Sequence, residues 1–144
     1  MNLAGWTPLT DIRGVTKDSP PPRSVRFPCG NDVPIPPRGV RGSGWTGVLR
    51  EIATWLVDNE RLTRQNANLW HPNVTNRYVT FALSVEQARD PELRVPPDRK
   101  VKNLTEIGGG VYMDSDWKAQ DAVDGAVALV RHCDENPCEV LVNY

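Results

Sequence analysis

The run Gly108-Gly109-Gly110-Val111-Tyr112-Met113-Asp114-Ser115-Asp116-Trp117 decides the fold, together with the apolar-striped segment that follows it to Arg131 and the ending Glu139-Val140-Leu141-Val142-Asn143-Tyr144. Val111 to Met113 reads as a strand, because β-branched and aromatic residues suit a pleated surface. Asp114 or Ser115 then supplies an oxygen for the exposed backbone donors at a helix start. Ala119, Ala122, Val123, Ala126, Val127 and Val130 recur at three and four, the spacing of one buried helical stripe. Asn136-Pro137 stops that helix, and Glu139 to Tyr144 closes the chain as a strand. An apolar run in that place predicts that the last residues belong to a sheet.

Upstream, Ser43-Gly44-Trp45 opens a helix in which Trp45, Val48, Leu49, Ile52, Trp55 and Leu56 form the apolar stripe, ending near Asn59. Arg61 to Ala67 reads as a short second turn, and Leu69-Trp70-His71-Pro72-Asn73 as a loop. Arg77 to Leu83 is a strand. Residues 85–107 are polar and broken by Pro91, Pro96 and Pro97, which predicts a long excursion of the kind that often carries function. Nearer the start, Ser24-Val25-Arg26-Phe27-Pro28 and Val33-Pro34-Ile35 flank a Gly30-Asn31 turn and make a hairpin. Pro28 and Pro34 place it at a sheet edge, since proline lacks the donor a central strand needs. Residues 1–23 are expected to be poorly structured, with Leu9 to Val15 as a helical turn or an edge strand. Residues 24–144 then form a single α+β domain in the order ββαββαβ, a mostly antiparallel sheet with two main helices on one face. The last strand-helix-strand is alternatively a right-handed parallel crossover, which would make the sheet mixed.

Composition narrows the class further. With 144 residues, 39% apolar and 24% charged, the chain suits one soluble globular domain rather than a disordered one. No run approaches the roughly 18 apolar residues of a membrane span. Met1-Asn2-Leu3-Ala4-Gly5-Trp6 has neither a basic region nor an apolar core, so no secretory signal is expected and the predicted location is the cytoplasm. Three cysteines, an odd number, fit reduced thiols in the same compartment. The net charge of -1 conceals an asymmetry: Arg13, Lys17, Arg23, Arg26, Arg38 and Arg41 make the first segment basic, while the last helix and strand are acidic. A basic segment of this kind meets phosphates or simply solubilises a loop-rich stretch.

The chemistry-bearing residues do not assemble into a familiar constellation. Gly108-Gly109-Gly110 precedes a strand and lacks the lysine and hydroxyl residue of a phosphate loop, so it reads as a turn. His132-Cys133 with Cys138 would offer three zinc ligands but lacks a fourth nearby and the close cysteine pair that makes such a reading strong, so neither metal nor cofactor is expected. Asp114, Asp116 and Glu106, with Lys118 two positions after Asp116, faintly follow the carboxylate-and-lysine pattern of metal-dependent restriction-type nucleases. Acids at a helix start are favoured there for structural reasons as well. Of the five tryptophans, Trp45, Trp55 and Trp117 sit on helices and read as core; Trp6 and Trp70 sit near arginines, where an aromatic platform would stack on a base or meet a protein.

Pro8-Leu9-Thr10-Asp11-Ile12, Pro22 to Pro28, Gly44-Trp45-Thr46-Gly47-Val48-Leu49 with Trp55-Leu56, and Gly109 to Asp114 before an Ala/Val-rich helix resemble an uncharacterised bacterial family. Its members are small α+β domains found alone or attached to restriction and other anti-phage proteins. Asp114-Ser115-Asp116-Trp117-Lys118-Ala119 stands where that family has an Asn-Leu-Ser-Ala-like helix start. The resemblance implies a defence or nucleic-acid context; the lack of an activated nucleophile or metal cluster, together with loop-borne aromatics and arginines, predicts a non-catalytic binding or accessory module of a nucleic-acid-associated or anti-phage assembly, with a protein partner and DNA or RNA as a further ligand. The expected contact residues are Arg23, Arg26, Arg38, Arg41, Trp70, His71, Arg99, Lys100 and Lys102. The alternatives are a nuclease-like enzyme using Asp114 and Asp116, and a protein-interaction subunit with no nucleic-acid contact.

Overall fold

A computed structural model describes residues 5–16, 18–37, 39, 43–61, 69–72, 78–81, 104–108, 111–114 and 119–144, those between 69 and 114 by their backbone alone. The described strands are β1 (Trp6–Pro8), β2 (Ser24–Arg26), β3 (Asp32–Pro34), β4 (Leu69–Pro72), β5 (Tyr78–Phe81), β6 (Leu104–Gly108), β7 (Val111–Asp114) and β8 (Leu141–Asn143). Two helices, α1 (Gly44–Asp58) and α2 (Ala119–His132), interrupt them, and short 3₁₀ turns lie at Leu9–Asp11 and Pro137–Glu139. The chain is α+β, with antiparallel sheets and, among the described residues, two helices.

The described strands differ in arrangement from a single sheet in the order ββαββαβ. They form two four-stranded sheets, ordered β1-β8-β2-β3 and β4-β5-β7-β6, antiparallel at every pairing. Strands β7 and β8 lie in different sheets, so the last strand-helix-strand is not a parallel crossover. The Leu69-to-Asn73 loop reading is corrected by β4, and the tail of the 85–107 excursion by β6, which pairs with β7. Asp114 ends β7, and residues 115–118, where the helix start is expected, lie outside the described residues. Pro8 ends β1 and Pro72 ends β4, and both strands are edges of their sheets, the one place where a missing backbone donor costs little.

Burial begins on the inner face of the first sheet. Val25 and Val142 stand opposite each other in register and are both 0% exposed. They pack, with Phe27, Ile35 and Val140, against the α1 stripe of Trp45, Val48, Leu49, Ile52 and Leu56 and the α2 stripe of Ala122, Val123, Ala126, Leu129 and Val130. Phe27 stacks on Trp55 at 4.8 Å, and Trp45 meets Tyr144 edge-on at 5.2 Å. The helices pack on each other, α1 also lying beside β6 and β7 and α2 beside β5.

Residues 5–23, expected to be poorly structured, contribute to this core where they are described. Leu9 and Ile12 are fully buried, and Leu9 N donates to Val140 O at 2.8 Å. Gln120 of α2 fastens the segment: its Oε1 accepts from Val15 N at 3.1 Å, while its Nε2 donates to Ile12 O at 3.2 Å and Asp124 Oδ1 at 2.9 Å. A strand of three residues followed by a 3₁₀ turn has too short a period to be read from pattern.

The helix ends repeat one device. Glu60, directly after the C-cap Asn59, and Asp134, two residues past the end of α2, both adopt φ 59°, in the left-handed region. Arg61 N then donates to Leu56 O and Glu60 N to Val57 O, just as Glu135 N donates to Val130 O and Asp134 N to Arg131 O. This is the Schellman pattern, in which glycine is the usual residue at the left-handed position. Arg61 and Glu135, the next residue in each case, join the two ends by an ion pair at 2.9 Å. Replacing Glu60 or Asp134 by Gly is expected to stabilise the protein by about 0.5–1 kcal/mol each, relief of left-handed strain exceeding the added freedom of the unfolded chain. Urea denaturation checks it; a lowered midpoint in both variants contradicts it. At the other end of α1, Ser43 is extended as a cap should be, but its carbonyl, accepting from Gly47 N and Thr46 Oγ1 at 3.3 Å, serves the turn, and its hydroxyl makes no capping bond.

Candidate functional site

The outer face of the first sheet gathers the side chains with interaction chemistry. Because strand residues alternate, the face opposite Val25 and Val142 carries two cross-strand rows. One runs Trp6, Asn143, Ser24, Pro34, and the other Pro8, Leu141, Arg26, Asp32. Asp32 and Pro34 are exposed, and the rest are half-buried.

The centre of the face is a clamped arginine. Arg26 Nε donates to Asp32 Oδ1 at 2.7 Å and Nη2 to Oδ2 at 3.0 Å, a planar fork on a carboxylate. Its guanidinium carbon lies 4.1 Å from the centre of the Trp6 ring, so the cation stacks on an indole as well. The local sequence dictates this. Gly30 N donates to Phe27 O at 2.8 Å and Gly30 takes φ +90°, which closes a tight turn and sets positions 26 and 32 opposite each other. The hydrogen bond from Arg26 holds the Asp32 carboxyl below its usual range, and burial opposes the shift; the same bond raises Arg26. A lowered carboxyl contributes to the folded state above the ordinary carboxylate range and ceases to do so as pH falls through the lowered value.

The edges of this sheet are closed to strand addition. Ile35 N donates to Arg23 O and Phe27 N to Asn31 O, so positions 32 and 34 of β3 turn their backbone outward, and Pro34 has no donor there. Leu9 N donates to Val140 O, which turns positions 6 and 8 of β1 outward, and Pro8 lacks a donor too. Proline at outward positions blunts both edges.

Of the residues expected to contact a ligand, Arg26 is central to this face. Arg23 is exposed at its border, with its backbone N donating to Asn143 O at 2.6 Å. Trp70 and His71, expected in a loop, lie on β4 of the other sheet, opposite Thr80 and Val79. Arg38, Arg41, Arg99, Lys100 and Lys102 lie outside the described residues, as do Asp116, Trp117 and Lys118. Most of the expected basic patch therefore lies outside the described residues. Trp6, Leu141 and Asn143 join Arg26 only through β8, whereas Asp32 was accessible to sequence reasoning, because a hairpin about Gly30 sets it opposite Arg26.

For the nuclease-like carboxylates, the β6–β7 register places Glu106 opposite Tyr112 and Asp114 opposite Leu104, two positions apart on one hairpin. Among the described residues no group of three His, Cys, Asp or Glu is placed to share a metal ion. Cys133 is buried, while Cys138 is exposed with its Sγ 3.4 Å from Thr10 Oγ1. Burial pushes the Cys133 thiol up to about 11, with Glu135 and Asp134 adding to the shift. At pH 8 the exposed Cys29 and Cys138 are expected to react with iodoacetamide in the folded protein and Cys133 only after denaturation. Mass spectrometry of the alkylated chain checks this, and rapid labelling of native Cys133 contradicts it. Comparison with protein-family models, curated proteins and solved structures finds no match.

Proposed function

We propose that the protein is a binding module, an accessory subunit of a larger nucleic-acid-associated or anti-phage assembly in the cytoplasm, which meets a protein partner through the outer face of the first sheet. The observation that carries this reading is the Arg26 guanidinium clamped between Trp6 and Asp32 on a mostly half-buried sheet face. Tryptophan and arginine are the residue types that most often dominate the energetics of protein interfaces. Here both are held on short strands and ordered before a partner arrives, which reduces the entropic cost of association. Asp32 neutralises Arg26, and this favours a protein surface over a phosphate backbone.

Capture of partners from source lysate, with and without nuclease treatment, tests the reading. The wild-type chain is expected to retain a nuclease-resistant protein partner, and Trp6→Ala or Arg26→Ala to lower its capture at least tenfold with the melting temperature little changed. Nuclease-sensitive capture would shift the reading to a nucleic-acid ligand. Mg2+-dependent hydrolysis of nucleic acid by the purified protein, lost on Asp114→Ala, would overturn it in favour of the nuclease-like alternative, for which the juxtaposition of Glu106 and Asp114 across β6 and β7 is the supporting observation.

A further inference from the structure

The clamped arginine remains partly exposed. One face of its guanidinium lies over the Trp6 ring, and its Nε and one Nη2 proton are engaged by Asp32. The side chain nevertheless keeps 40% of its surface exposed. Its Nη1 end makes no hydrogen bond among the described residues, and the register sets Leu141 and Pro8 beside Arg26 in its own row, with Ser24 and Asn143 in the neighbouring row.

We propose that the Trp6–Arg26 pair is a stacking site for an aromatic side chain of the partner protein. The inference rests on the reading of this face as the partner surface and names the chemistry that the surface selects. An arginine plane already fixed by a carboxylate and an indole loses little freedom when a second ring covers it, and guanidinium planes stack on aromatic faces. A phosphate or carboxylate is a poorer occupant. The arginine's side-on Nε–Nη2 fork is bound to Asp32, and the Asp32 carboxylate repels a second anion approaching the remaining Nη1–Nη2 edge. An aliphatic side chain covers the plane without meeting its charge. An aromatic ring satisfies it, extending the order Trp6, Arg26, ring.

The test is an NMR titration of the isotope-labelled full chain, read at the Trp6 indole N–H and the Arg26 Nε–H. The probes are N-acetyltryptophanamide, N-acetylleucinamide and a single-stranded homothymidine oligonucleotide. The expected result is a saturable shift of both resonances with the tryptophan amide at millimolar concentrations and none with the leucine amide. Arg26→Lys, which keeps a cation but removes the plane, should abolish the shift at Trp6. No saturable response to the tryptophan amide, or an equal response to the leucine amide, overturns the proposal. Tighter binding of the oligonucleotide at the same two resonances also overturns it, in favour of a nucleobase. If Trp6→Ala abolishes partner capture while the tryptophan amide moves neither resonance, the surface reading stands and the aromatic occupant falls. If the amide binds but capture survives Trp6→Ala, the surface reading is the one that falls.

Discussion

Removal of residues 139–144 leaves a chain without a cooperative melting transition. Strand β8 sits inside the first sheet, antiparallel to β1 on one side and β2 on the other, so its loss separates β1 from the rest and strips the backbone partners of both. Val140 and Val142 are fully buried, and each such side chain contributes roughly 1.5–3 kcal/mol. Together with the lost ladder bonds, this approaches the whole stability of an ordinary domain, about 5–15 kcal/mol. The substitution Val142→Asp makes the same point without shortening the chain, because it places a carboxylate opposite Val25 in the core. Circular dichroism on heating is the measurement. An unchanged melting temperature in both variants would remove β8 from the load the fold carries.

Leu49→Ala is expected to cost about 2–5 kcal/mol, the range for deleting a fully enclosed leucine whose surroundings relax only in part. Leu49 is 0% exposed at the middle of α1, in the layer where α1, α2 and the first sheet converge. At this chain length each kcal/mol lowers the melting temperature by roughly 2–4 °C. Urea denaturation should show a lower midpoint with an unchanged slope, since the variant still unfolds the same surface. A loss below about 1 kcal/mol would mean that the helix layer repacks freely.

The sequence by itself determined both helices, the β2–β3 hairpin, and strands β5, β7 and β8. Each has a signal that local physics reads directly: apolar residues at three and four from Trp45 to Leu56 and from Ala122 to Val130, a glycine where the hairpin turns, and an apolar run from Val140 to Val142. The α+β class follows from those elements. It did not determine β1, β4 or β6. Trp6-Thr7-Pro8 and Leu69-Trp70-His71-Pro72 are three- and four-residue strands that end in proline, which local rules assign to loops; only their position at a sheet edge makes proline acceptable. The division into two sheets was decided by pairing between residues far apart in the chain, as in Trp6 with Asn143, for which no local pattern exists. The candidate site follows the same rule. Arg26 and Asp32 are near neighbours across a turn and could be paired from sequence, whereas Trp6 reaches Arg26 only because β8 inserts between β1 and β2 and holds their strands in register.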